Sequence, residues 1–151
     1  MDKIFETAIF NRNAMVSFLD KMTHEQLVKI PENFNNSIFW NIAHILVTHQ
    51  LLTYKLSGLP ITIDKNLVEK YTKGSTPTSN VSVEEVAYVK NNLVSSVLKV
   101  QEDYKNGVFK NYTPYPTSVG ISLNSIEESL QFMCFHDGIH LGIILSLKKV
   151  V

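Results

Sequence analysis

The apolar positions divide the chain into four long stretches with helical spacing, and no strand-like alternation stands between them. The first runs from about Lys3 to Met22, with Ile4, Ala8, Met15, Phe18 and Leu19 forming a broken stripe. Thr23-His24-Glu25-Gln26 has the form of a capping box, and Pro31 stops the short helix that it opens. The second stretch, Ser37 to Leu56, follows the turn-forming Asn35-Asn36 and ends with Gly58 and then Pro60. Ser82-Val83-Glu84-Glu85 opens the third, which reaches Lys105 and is closed by Gly107; Ser125-Ile126-Glu127-Glu128 opens the last, which runs nearly to Val151.

Between Leu59 and Asn80 lies a polar connection containing Lys73-Gly74-Ser75-Thr76-Pro77. It is too long for a hairpin between neighbouring helices, so it is expected to cross from one end of the molecule to the other. A second loop carries Pro114, Pro116, Gly120 and several aromatics. With no internal repeat and no linker-like segment, the pattern predicts an all-α fold. Its expected form is a four-helix bundle with one long crossover, in a single domain over residues 1–151.

Composition narrows the function classes more than the fold. A chain of 151 residues buries about 70% of its unfolded surface, enough for a core without staples. Lys plus Arg and Asp plus Glu are both 14, so the net charge is zero and there is no electrostatic footprint for nucleic acid or an anionic membrane. Cys134 is the only cysteine, which excludes an intrachain disulfide and a cysteine-built zinc site. Asp2 and Glu6 interrupt any secretory leader, and no run reaches the ~18 apolar residues of a membrane span. The expectation is a soluble cytoplasmic protein with a small-molecule substrate and neither nucleic-acid nor membrane partners.

The histidines carry the chemical signal. His136-Asp137-Gly138-Ile139-His140 places two imidazoles one helical turn apart, with Cβ atoms about 5–6 Å from each other. Two rings so placed can share one metal at the ~2.0–2.1 Å zinc–nitrogen bond length. Ile126, Leu130, Met133, His140, Ile144 and Leu147 step by threes and fours except between 133 and 140, and His136 and Asp137 sit in that gap. The competing reading is two core histidines bonded to backbone or to Asp137, since a buried polar group left alone costs about 1–3 kcal/mol.

A third donor comes from the second long helix, where periodicity leaves two choices. His44 aligns with Trp40, Val47 and Leu51, while His49 lies about 140° further round. This helix is apolar nearly all round, so neither choice stands out, and its excess apolar surface predicts a homodimer. His24 reads as a solvated surface residue and Cys134 as a small buried hydrophobe. Tyr112 and Tyr115 read as loop packing.

Two segments resemble a known family. Phe34-Asn35-Asn36-Ser37-Ile38-Phe39-Trp40-Asn41-Ile42-Ala43-His44-Ile45, with Leu56-Ser57-Gly58-Leu59-Pro60 after it, resembles the second helix of the DinB-like (DinB/YfiT-like) superfamily. Phe135-His136-Asp137-Gly138-Ile139-His140-Leu141-Gly142 resembles that family's last-helix motif. Ala43 stands where the family more often has glycine, and Phe39 is unusually apolar; neither change removes a ligand. The resemblance implies a bundle with a long crossover, a dimer, and a divalent metal (nickel, zinc or iron) held by His44, His136 and His140. It also implies thiol chemistry, because characterised members include bacillithiol-dependent transferases and a mycothiol-dependent isomerase.

Three neutral imidazoles leave a coordination position open, as in catalytic rather than structural metal sites. Such a site suits a small-thiol S-transferase, with a low-molecular-weight thiol as cosubstrate, or a hydrolase. Asp137 is the only carboxylate beside the ligands in sequence, and it is the candidate general base or acceptor orienting an imidazole. The alternative is a non-catalytic dimeric bundle that binds a ligand or a metal.

Overall fold

The computed structural model describes residues 1–151, and the chain is all-α apart from one short hairpin. Helix α1 (Asp2–Lys21) places an acid in its first turn and a base in its last, matching the helix dipole. It buries Phe5, Ala8, Met15 and Leu19. The break in its apolar stripe is filled by Arg12, which is also buried. The short α2 (His24–Val28) has the expected capping box: Gln26 N–H donates to Thr23 Oγ1 at 3.2 Å, and Thr23 N–H donates to Gln26 Oε1 at 3.0 Å.

Ser37 opens α3 (Ile38–Gln50) by accepting from the Trp40 N–H at 3.0 Å. Every residue of α3 except Thr48 is buried, because α2, α4, α5 and α6 all pack on it. This corrects the argument that gave a dimer from its all-round apolarity, since one chain is enough to cover all its faces. The helix continues as a π-helical turn, Leu51–Lys55, in which the Leu56 N–H reaches back to the Leu51 carbonyl at 3.2 Å. Gly58, at φ 73°, then stops it: Leu59 N–H bonds the Tyr54 carbonyl and Gly58 N–H the Lys55 carbonyl. That crossed pair needs a left-handed residue, which glycine adopts without strain.

The long connection is not structureless. It contains α4 (Lys65–Tyr71), capped by the Asp64 carboxylate and packed on α3 through Leu67 and Tyr71. Two apolar residues four apart are too short a signal to register as a helix in the sequence. Helix α5 (Val83–Lys105) starts at a Ser82 cap and ends at Gly107 with the same crossed bonds as Gly58. The second loop forms a hairpin, β1 (Tyr115–Pro116) with β2 (Ser122–Leu123), absent from the sequence expectation because each strand is two residues long.

Helix α6 (Ile126–Leu147) is capped by Ser125 and packs against α1 and α3, while α5 packs against both of those from its own side. Of the helices, α6 alone is long and apolar enough by length and hydropathy to cross a membrane. Its apolar residues divide between a buried face and an outer face carrying Phe135, Ile139 and Ile143. The core is likewise divided. A larger cluster surrounds α3, and a smaller one gathers Phe5, Ala8, Val97, Val100, Leu130 and Met133 between α1, α5 and α6.

Candidate metal centre

Three imidazoles meet where α3 faces α6. His44 comes from α3, and His136 and His140 come from successive turns of α6. Their candidate ligand atoms all lie within 4.8 Å of one another. Ring centroids are 4.5 Å apart for His136 and His140, 4.9 Å for His44 and His140, and 5.3 Å for His44 and His136. Nitrogens sharing one ion at ~2.1 Å stand about 3.4 Å apart in tetrahedral geometry, so the rings need only turn towards each other.

Hydrogen bonds at the backs of two rings decide which nitrogen is available. His44 Nδ1 lies 2.7 Å from the Tyr71 carbonyl. A carbonyl oxygen can only accept, so Nδ1 carries the proton and Nε2 keeps its lone pair. The Thr48 hydroxyl, 3.2 Å from Nε2, is the one protein group bonded to that lone pair. His140 Nδ1 lies 2.8 Å from Asn41 Oδ1. Asn41 is oriented in turn, because its Nδ2 donates to the Ser37 carbonyl at 2.8 Å and so turns Oδ1 to the histidine. His140 therefore also offers Nε2. Acceptors behind metal-binding imidazoles commonly set the tautomer in this way. Trp40 stacks flat on His44, with centroids 4.7 Å apart and planes 10° apart, and holds the ring in place.

All three rings are neutral near pH 7. Burial pushes His136 down to about 2, helped by the adjacent His140 and His44. Burial, and then His44, lowers His140 to about 4. His44 is lowered by burial and by the charge of Lys73, against the opposing pull of the Tyr71 carbonyl. Neutral imidazoles with converging lone pairs form a donor set suited to a divalent transition metal, so the residues present fit the ion that the sequence resemblance implied.

The structure separates these histidines from the other candidates. His49, left open by periodicity, is not one of the three that converge; it is buried beside Arg12, and neither of its ring nitrogens has a partner. Asp137 was expected to orient an imidazole or act as a base. Its oxygens instead accept from Arg12 Nε at 2.9 Å and Nη2 at 3.1 Å, in a pair with both side chains fully buried. The carboxylate faces α1, about 100° round the helix from His136. His24 is exposed, as expected. Cys134 is half-buried, its thiol donates to the Ile4 carbonyl, and burial raises its pKa, so it stays a thiol.

A cleft of about 300 Å³ opens beside the cluster, with His44 and His136 in its lining. The π-helical turn and its ends supply Leu51, Leu52, Lys55 and Leu56, and the α4–α5 connection supplies Thr72 and Lys73. Tyr115, Thr117 and Ser118 from the hairpin close one side, and Phe132 of α6 lies against His136. Tyr115 thus does more than pack its loop. Sequence reasoning missed Asn41, Thr48, the Tyr71 carbonyl and this lining. The one available hint was a polar Asn41 among the apolar residues at the start of the helix.

No match was found among curated proteins. Residues 9–144 match the DinB superfamily, which is most of the chain and includes all three clustered histidines. The chain belongs to the DinB superfamily.

Proposed function

We propose that the protein is a metal-dependent enzyme acting on a small molecule in the cleft, with His44, His136 and His140 holding one nickel, zinc or iron ion. The observation that carries this reading is the convergence of three neutral imidazoles, two with Nδ1 tied back, beside an open cleft. A divalent ion at that point supplies Lewis-acid activation of a water or a thiol. The chain's own part is to hold the rings, exclude solvent with Trp40 and Phe132, and position the substrate. Hydrolysis also calls for a general base, and no carboxylate lines the cleft, Asp137 being paired with Arg12. That favours a small-thiol S-transferase of the bacillithiol type over a hydrolase, because a thiol needs only to be deprotonated and presented.

The same reading takes the four long helices as a four-helix bundle with a long crossover, in a single domain located in the cytoplasm. It also includes a homodimer. Support for the dimer comes from the exposed apolar stripe Phe135, Ile139 and Ile143 on α6, with Gly138 and Gly142 beside it. Metal analysis of protein purified without an affinity tag tests the site. About one ion per chain, lost in His→Ala variants at 44, 136 or 140, is expected. A protein that neither contains nor takes up a divalent ion would leave a non-catalytic ligand-binding bundle as the better account.

A further inference from the structure

The cleft's charge differs from that of the whole chain. Acidic and basic residues cancel overall, yet the cleft carries two lysines and no carboxylate. Four lysines outside the cleft are held in ion pairs, Lys3 with Glu6, Lys70 with Glu85, Lys90 with Asp20, and Lys99 with Asp103. Lys55 and Lys73 form no such pair. They come from different elements, the π-helical turn and the α4–α5 connection, and reach the same space. Lys73 is close enough to His44 for its charge to be felt there. Leu51, Leu52, Leu56 and Phe132 give the same cleft an apolar wall. Part of the wall is built on the π-helical turn, an irregularity frequently found at functional sites.

We propose that this cleft binds a small amphipathic anion, with its carboxylate or phosphate head at Lys55 and Lys73 and its apolar body on Leu51, Leu52 and Phe132. The assignment rests on the cleft being the working site proposed above, and it adds the class of substrate. Two unpaired ammonium groups in a concave, partly apolar site attract one negative head more strongly than they would on a flat surface. A cleft of about 300 Å³ is at the small end of ligand sites, so the molecule is of metabolite size. Thr72 and Ser118 add hydroxyl donors around the head.

Titration calorimetry at pH 7.5 with 4-phenylbutyrate, phenyl phosphate and the neutral 4-phenylbutanol tests this on protein as purified and on the same protein after chelation. At least one anion is expected to bind about 10-fold more tightly than the alcohol, a difference of about 1.4 kcal/mol. The tighter of the two identifies the head group. The preference should shrink in high salt, which screens exposed charges. A Lys55→Gln/Lys73→Gln variant should lose the preference while keeping its affinity for the alcohol and its metal content; both lysines are exposed, so folding is preserved. Equal binding of acid and alcohol, no binding of either anion up to about 10 mM, or an unchanged preference in the double variant would overturn the proposal. Chelated protein separates the two readings. Anion preference without metal uptake removes the metal centre and keeps the anion site, while metal uptake without anion preference does the reverse.

Discussion

His136 and Asp137 are neighbours in sequence, but α6 sends them into two different polar clusters. Asp137 points to α1 and closes a fully buried pair with Arg12, each partner using the other. His136 points to α3 and joins His44 and His140, whose outward nitrogens are tied to Tyr71 and Asn41 while their Nε2 atoms face a shared space beside a cleft. The first cluster is closed on itself, with only Arg12 Nη1 left buried without a partner. The second is held from behind and open in front. Burial alone does not distinguish a structural polar group from a functional one; the direction of the unused lone pairs does.

Breaking the closed cluster should have the largest effect. Asp137→Ala or Arg12→Ala leaves one buried charge alone and is expected to cost about 3–5 kcal/mol in urea unfolding. The paired replacement Arg12→Met/Asp137→Leu should recover most of that loss, since a buried ion pair and a packed apolar pair are often of similar stability. If Asp137→Ala instead left stability intact and abolished metal binding, the two clusters would be one.

Opening the second cluster should reverse the pattern. His44→Ala, His136→Ala and His140→Ala are each expected to weaken metal binding by about 10-fold or more by equilibrium dialysis, with circular dichroism unchanged. Asn41→Ala, which removes only the acceptor behind His140, should also weaken it, by about 10-fold.

Acid should separate the clusters by a smaller margin. In the fold, His136 and His140 are held at about 2 and 4, below the ~6.5 of an exposed histidine. Below pH ~6.5 the unfolded chain therefore binds protons that the fold refuses, so the stability of chelated protein is full above pH ~7 and falls as the pH drops towards 4. Urea midpoints at pH 7.5 and pH 5 should show this, and a His136→Gln/His140→Gln variant should flatten the slope.

The smallest effect is expected at His49. His49→Leu removes two buried, unpartnered nitrogens and should leave stability within about 1 kcal/mol or slightly raised, with metal affinity unchanged.

The elements of this protein were legible in the sequence because caps and stops act over a few residues. Ser37, Ser82 and Ser125, Gly58 and Gly107, and the Thr23–Gln26 box all stand where the structure uses them. The one-turn spacing of His136 and His140 was equally plain. Less was visible where the signal is short or the context tertiary. Helix α4 buries only Leu67 and Tyr71, and α3 read as an interface helix although α2, α4, α5 and α6 cover it within one chain. His44 was separated from His49 by resemblance to the family and not by periodicity.

Local geometry thus determined by itself where helices begin and end and that two imidazoles share one face of α6, since both depend on a fixed 3.6-residue turn. Tertiary structure decided their partners. Arg12 meets Asp137 across 125 residues, His140 meets Asn41 across 99, and the cleft draws its lining from helices, a connection and a hairpin. Those meetings depend on how each helix is rotated and shifted against its neighbours, which is set by packing of the whole core and not by any stretch of sequence.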